Sequence, residues 1–139
     1  MSAIKKSKWV PTRGIGTWPS VLLLLGMQHA QAHHSFAAEF DAQQPVNFRG
    51  RVARMQWTNP HVWIHIDVEQ TDGTVERWAI EAGTPNVLFR RGFTKDSLLP
   101  GTEIIVDGYR AKDGSRRANG RDLTFADGRT LFLGSPNGE

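Results

Sequence analysis

Residues 62–68 alternate apolar and polar without a break. Val62, Ile64, Ile66 and Val68 fall on one side of an extended chain, and His61, Trp63, His65 and Asp67 on the other. Period two over this length predicts a half-buried strand, entered through the turn signal Thr58-Asn59-Pro60. Asp72-Gly73 then predicts a hairpin into a returning strand over 75–82. Upstream, Val46, Phe48, Gly50 and Val52 alternate with polar residues before the apolar phase slips to Ala53, Met55 and Trp57. A single slip within period two predicts one long strand carrying a bulge or bend, with Gly50 as its pivot. Downstream, Thr84 stands as an N-cap before Pro85, and Asn86 to Arg91 runs to a stop at Gly92, which predicts a helix of about two turns. A further single turn is expected over 94–99 before Pro100-Gly101. Ile104, Val106, Gly108 and Tyr109 predict a fourth strand, the Lys112-Asp113-Gly114-Ser115 turn leads to a fifth over 122–126, and Asp127-Gly128 closes a small hairpin to 130–133.

This order places one short helix between strands 3 and 4 of a mainly β chain whose first strand bends. It predicts a small OB-like β-barrel rather than a two-layer sandwich. The barrel is expected over residues 46–134, preceded by an irregular arm over 33–45 that packs through Phe36 and Phe40, and followed by a loose tail over 135–139.

The first 32 residues have a different character. Lys5, Lys6 and Lys8 open the chain, Val21 to Met27 form a short apolar run, and Ala30-Gln31-Ala32 reads as a small-residue cleavage site. That succession predicts a secretory signal peptide over 1–32 and a periplasmic or secreted mature protein beginning at His33. The apolar run falls well short of the roughly 20 residues that cross a bilayer, so no membrane span is expected. Cleavage would also change the charge. The formal +3 comes from 17 basic and 14 acidic side chains, and the leader takes Lys5, Lys6, Lys8 and Arg13 but no acid. A mature domain close to neutral offers no basic face for phosphate, which argues against nucleic acid as a partner. There is no cysteine, so neither a disulfide nor a thiolate metal site can form, and any metal must use nitrogen and oxygen ligands.

Such ligands are present. With His33 first, its α-amine and imidazole can chelate one ion together, and His34 adds a second imidazole. An amino-terminal histidine with a further imidazole is the arrangement of a copper brace, and nitrogen-rich sets suit Cu(II), Ni(II) or Zn(II). His61 and His65 share a strand face but stand about 13 Å apart along it, too far for both to reach one ion. His61, at the strand start beside Pro60, is the expected third ligand, with Glu39 and Asp41 as oxygen donors or as acceptors orienting an imidazole.

A metal-free alternative uses Trp57, Trp63, His65 and Trp78 as a face for a small ligand or a protein partner, since OB-type barrels bind on one sheet face through aromatics. A third reading, a copper redox enzyme, requires an open coordination position and a substrate surface beside the ion. Asp67, Glu69, Glu76 and Glu81 lie on paired strands, where a general acid and base or merely the charged outer face of a hairpin are equally at home. No nucleophile elbow, glycine-rich phosphate loop or His-Glu-x-x-His motif occurs.

Three runs, His33-His34-Ser35-Phe36-Ala37, Trp57-Thr58-Asn59-Pro60-His61-Val62-Trp63 and Leu88-Phe89-Arg90-Arg91-Gly92-Phe93-Thr94, are supported by Pro100-Gly101, Gly108-Tyr109-Arg110-Ala111 and Ala126-Asp127-Gly128-Arg129. Together they make the mature chain resemble a family of small exported bacterial proteins classed as a domain of unknown function. The resemblance implies an exported β-domain that begins with a His-His pair, and brings no activity with it. His65 stands where that pattern leads one to expect an aromatic or apolar residue.

Overall fold

In the computed structural model, the described residues are 36–134. The expected leader, His33, His34 and the tail over 135–139 lie outside them. Residues 36–39 form a helical turn and run directly into β1 (Phe40–Gln56), followed by β2 (Trp63–Glu69), β3 (Val75–Glu81), α1 (Pro85–Arg90), β4 (Glu103–Ala111), β5 (Arg117–Phe125) and β6 (Thr130–Phe132). The chain is mainly β, as the alternation predicts. The strands lie in the order β3-β2-β1-β4-β5-β6, with antiparallel neighbours throughout. In addition, β3 pairs in parallel with β5.

The core follows from the period-two faces. Val62, Ile64, Ile66 and Val68 are all buried, joined by Ile80 from β3 and by Ile104 and Val106 from β4. The slip of apolar phase in β1 is a bulge. Pairing with β2 shifts between Val52 and Arg54, so that the extra residue turns Ala53 and Met55 to the side that Val52 occupied before it. Gly50, the expected pivot, has another task. A Cβ there would stand 2.7 Å from the Asp67 carbonyl oxygen, so glycine is what allows β1 to lie close to β2.

The helix forms as its caps dictate. Thr84 Oγ1 accepts a hydrogen bond from the Val87 N–H at 3.3 Å, Pro85 opens the first turn, and Gly92 leaves it at φ 80°. This carries Leu88 and Phe93 into the core. Over 94–99 there is a hydrogen-bonded turn, with Ser97 N–H donating to the Thr94 carbonyl at 3.1 Å, and it seats Leu98 inside.

Two boundaries differ from expectation. The stretch expected to be an irregular arm up to Pro45 is strand from Phe40 on. Phe40 is buried and pairs with Ala111, while the register to β4 breaks between Phe40 and Pro45. The intervening residues bulge outward, which is why their side chains show no period. β5 begins at Arg117, five positions ahead of its expected start. Its core-facing residues there are Ala118 and Gly120, both buried. Residues so small leave almost no hydrophobic alternation to read.

Candidate functional site

His61 follows the Asn59-Pro60 peptide, which is cis, and stands just ahead of β2. The neighbouring backbone is tied to the end of β3: the Val62 N–H donates to the Gly83 carbonyl at 3.1 Å, and the Ala82 N–H to the Val62 carbonyl at 2.8 Å. These bonds bring His61 beside Glu81, and His61 Nδ1 donates to Glu81 Oε1. Glu81 is the one buried charged side chain among the described residues, 8% exposed. Burial pushes its carboxyl above the ordinary carboxylate range. The His61 imidazole pulls it back, and the Glu39 carboxylate pushes it further up. An Nδ1–H given to a carboxylate leaves the ring's lone pair on Nε2, facing away from Glu81.

Around this pair the sheet assembles residues from distant parts of the chain. Asn119 lies opposite Glu81 in the parallel register of β3 with β5 and opposite Tyr109 in the antiparallel register of β4 with β5. Its Oδ1 is a buried acceptor with no partner among the described residues. Arg117, two residues earlier, reaches Glu39 Oε2 at 3.3 Å and Asp113 Oδ2 at 3.1 Å. The Phe36 ring meets Tyr109 edge-on at 5.7 Å between centroids and Phe40 at 5.8 Å.

The expected metal ligands are therefore divided. His61 is in a defined position, held by Glu81, and His33 and His34 lie outside the described residues. The chain from His33 to Phe36 spans at most about 11 Å when extended. Among the described residues no three histidine or carboxylate side chains come together as a metal-binding group. Glu39 pairs with Arg117 and its charge acts on Glu81, whereas Asp41 is turned to its own neighbours, accepting from Gln43 N–H and Gln44 Nε2.

The expected aromatic face is not assembled. Trp78 is buried, since it lies in step with Ile80 on the inward side of β3, and packs on Phe48 at 4.3 Å between centroids with the Arg110 guanidinium 5.5 Å from its ring. Trp57 also packs against the core, stacked on Phe93 at 6.1 Å. Trp63 and His65 alone of the four remain on the outer side of β2. His65 Nε2 meets Gln56 Oε1 at 2.7 Å, and burial, with the Arg54 and Arg77 charges beside it, holds the imidazole below its ordinary value. It does not join His61. Asp67 is engaged by Arg77 at 2.7 and 2.9 Å and Glu76 by Arg116 at 2.9 Å, as on the charged outer face of a hairpin.

In the sequence Glu81 stands as one hairpin acid among four, with Asp67, Glu69 and Glu76. A signal was present: the acid sits between Ile80 and Ala82 at the end of a strand, a position where a carboxylate is costly unless something pairs with it.

The fold and this cluster define a small, mainly β domain in which a buried carboxylate fixes a histidine at a strand entrance. A family model described as "Family of unknown function (DUF6152)" matches residues 22–120, and the chain belongs to that family. No curated protein and no solved structure matches the chain.

Proposed function

We propose that this protein is an exported, periplasmic binding module that takes up a transition metal ion, Cu(II) or Zn(II), through His33 and His34 at its mature amino terminus, with His61 completing the site. The observation that carries this reading is the hydrogen bond from His61 Nδ1 to the buried Glu81. A metal-ligating histidine commonly gives its second ring N–H to a carboxylate, which fixes the tautomer, orients the ring and makes the ligating nitrogen more basic. Burying a carboxylate is costly, and orienting a ligand is a task that accounts for the cost. Further support comes from Glu39, a few residues after His34, whose charge acts on Glu81. The basic start, short apolar run and Ala30-Gln31-Ala32 support a cleavage that turns His33 into an amine-bearing chelate. The ring of pairings β1-β2-β3-β5-β4-β1 supports reading the sheet as an OB-like barrel, with α1 between β3 and β4.

The test is to express the full chain with its leader, confirm by mass that the periplasmic product begins at His33, and titrate it with Cu(II) and Zn(II) beside His33→Ala and His61→Ala variants. One-to-one binding weakened in both variants is the expected result. A product with no affinity for either ion, or binding indifferent to both substitutions, overturns the reading.

A further inference from the structure

Glu81 alternates with the core residue Ile80 and so belongs to the outer side of β3, yet it is 8% exposed. A carboxylate on an outer sheet face is ordinarily left in water. The strand registers put Trp63 on one side of Glu81, Asn119 on the other, and Tyr109 beyond Asn119. Residues opposite one another in a sheet share its face, so these four form a row across β2, β3, β5 and β4. The helical turn over 36–39 brackets the Asn119 end of that row. The Phe36 ring meets Tyr109 at 5.7 Å, and Glu39 pairs with Arg117 at 3.3 Å. A single turn is not stable by itself. These contacts hold it in place, with the Lys112 N–H donating to the Glu39 carbonyl at 2.9 Å and Lys112 Nζ to the Ala37 carbonyl.

The middle of the row is rich in acceptors and poor in donors. Asn119 Oδ1 is buried with no partner among the described residues. Glu81 takes a hydrogen bond from His61 and from no other described residue, where a carboxylate has room for about four. The Arg117 charge acts on Glu81, but that guanidinium is engaged by Glu39 and Asp113. We propose that Glu81 and Asn119 form the floor of a binding site for a small organic ammonium compound, with Trp63 and Tyr109 at its two ends and the 36–39 turn as its lid. The ammonium hydrogens fill the unused acceptors and its charge offsets the buried carboxylate, while the aromatic faces attract the cation. A neutral hydroxyl meets the same acceptors but leaves the buried charge unmatched. The lid opens at low cost, because the Glu39–Arg117 pair that helps to hold it is partly in water, with the two side chains 48% and 35% exposed. This inference stands apart from the metal reading, since it uses no ion and no residue ahead of Phe36.

The test is a titration of the processed chain, in excess chelator, with butylammonium and with butanol and butyrate as its neutral and anionic counterparts, read by backbone amide chemical shifts. Saturable shifts at Glu81, Asn119 and the 36–39 turn are expected with butylammonium alone. Glu81→Gln and Asn119→Leu each weaken that binding by about tenfold or more, the worth of a hydrogen bond to a charged group. Asn119→Leu removes an acceptor that no other described residue uses, so its thermal unfolding stays close to the parent's, which separates a lost ligand contact from a damaged fold. Should that variant unfold early, Glu81→Gln, which keeps the shape of the side chain, carries the test. No saturable shift in the parent, an equal response to butanol or butyrate, or binding that a folded variant of either kind leaves unchanged overturns the site. Each of these results leaves the metal reading untouched, because the chelator keeps any ion away. Conversely, a chain that fails to bind Cu(II) or Zn(II) is still expected to take up butylammonium.

Discussion

The Trp78 indole packs on the Phe48 ring at 4.3 Å between centroids, joining the inward sides of β3 and β1 although the two strands are not neighbours in the sheet order. Trp78 thus acts in the core. Trp78→Ala leaves a cavity between these strands and costs about 3–5 kcal/mol of stability. Trp63→Ala, on the outer side of β2, costs about 1 kcal/mol. Urea denaturation of both variants checks the contrast. Equal losses would mean that Trp63, too, is a core residue.

Besides Gly50, two further glycines set how closely the chain packs. At Gly120 a Cβ would stand 2.8 Å from both Ile80 Cγ2 and Leu133 Cδ1, side-chain atoms that can yield. Gly120→Ala therefore costs about 1–3 kcal/mol through overpacking. At Gly108 the Cβ would stand 2.1 Å from the Asn119 carbonyl oxygen, which cannot move without separating β4 from β5. Gly108→Ala is expected to lose more than Gly120→Ala, about 3 kcal/mol or above. Denaturation midpoints in the reverse order would contradict this account.

Glu81→Gln removes the buried charge and keeps the shape. Two effects of opposite sign are expected. Metal affinity at the proposed site falls by about 10–100-fold, because the ring of His61 loses its anionic partner. The apo domain gains relative to the parent as pH rises. The carboxyl of Glu81 is held high by burial, so its contribution to stability is full below the ordinary carboxylate value and is lost as pH rises through the folded one. Unfolding measured on parent and variant at pH 4 and pH 7 checks the sign: the difference shifts in favour of glutamine at the higher pH.

His65 provides a second pH test, independent of the proposed metal site. Burial, followed by the charges of Arg54 and Arg77, holds its imidazole low in the folded state. An unfolded chain binds the proton with a value of about 6.5. Stability attached to His65 is thus present above that value and is lost as pH falls through the folded one. His65→Gln flattens the stability profile between about pH 7 and pH 5. A profile equally steep in both proteins would remove His65 from the list of groups that matter.

Much of the architecture was local and therefore legible. The β2–β3 hairpin needs only alternating residues and Gly73, which sits at φ 83°. The short helix needs only Thr84, Pro85 and Gly92, and the bulge in β1 is written in the slip from Val52 to Ala53. The inward place of Trp78 was legible as well, because it alternates in step with Ile80 and Ala82. Aromatic character alone suggests a binding face, but strand phase puts Trp78 inside.

Other features depended on which strands meet. Phe40 pairs with Ala111 across a break in register, and Ala118 and Gly120 are core positions without apolar bulk. Neither follows from a period along one segment. The candidate site is the clearest case. His61 was visible as a histidine beside a turn, but its partner is decided by the bonds joining Val62 to Gly83 and Ala82, and the burial of Glu81 by β5 arriving in parallel with Asn119 opposite. Alternation, caps and turns depend on neighbours a few residues apart, so the sequence by itself determined the strands, the helix and their faces. A carboxylate's neighbours come from whichever chain segments close over it, so only the tertiary structure decided that Glu81 would be buried against His61.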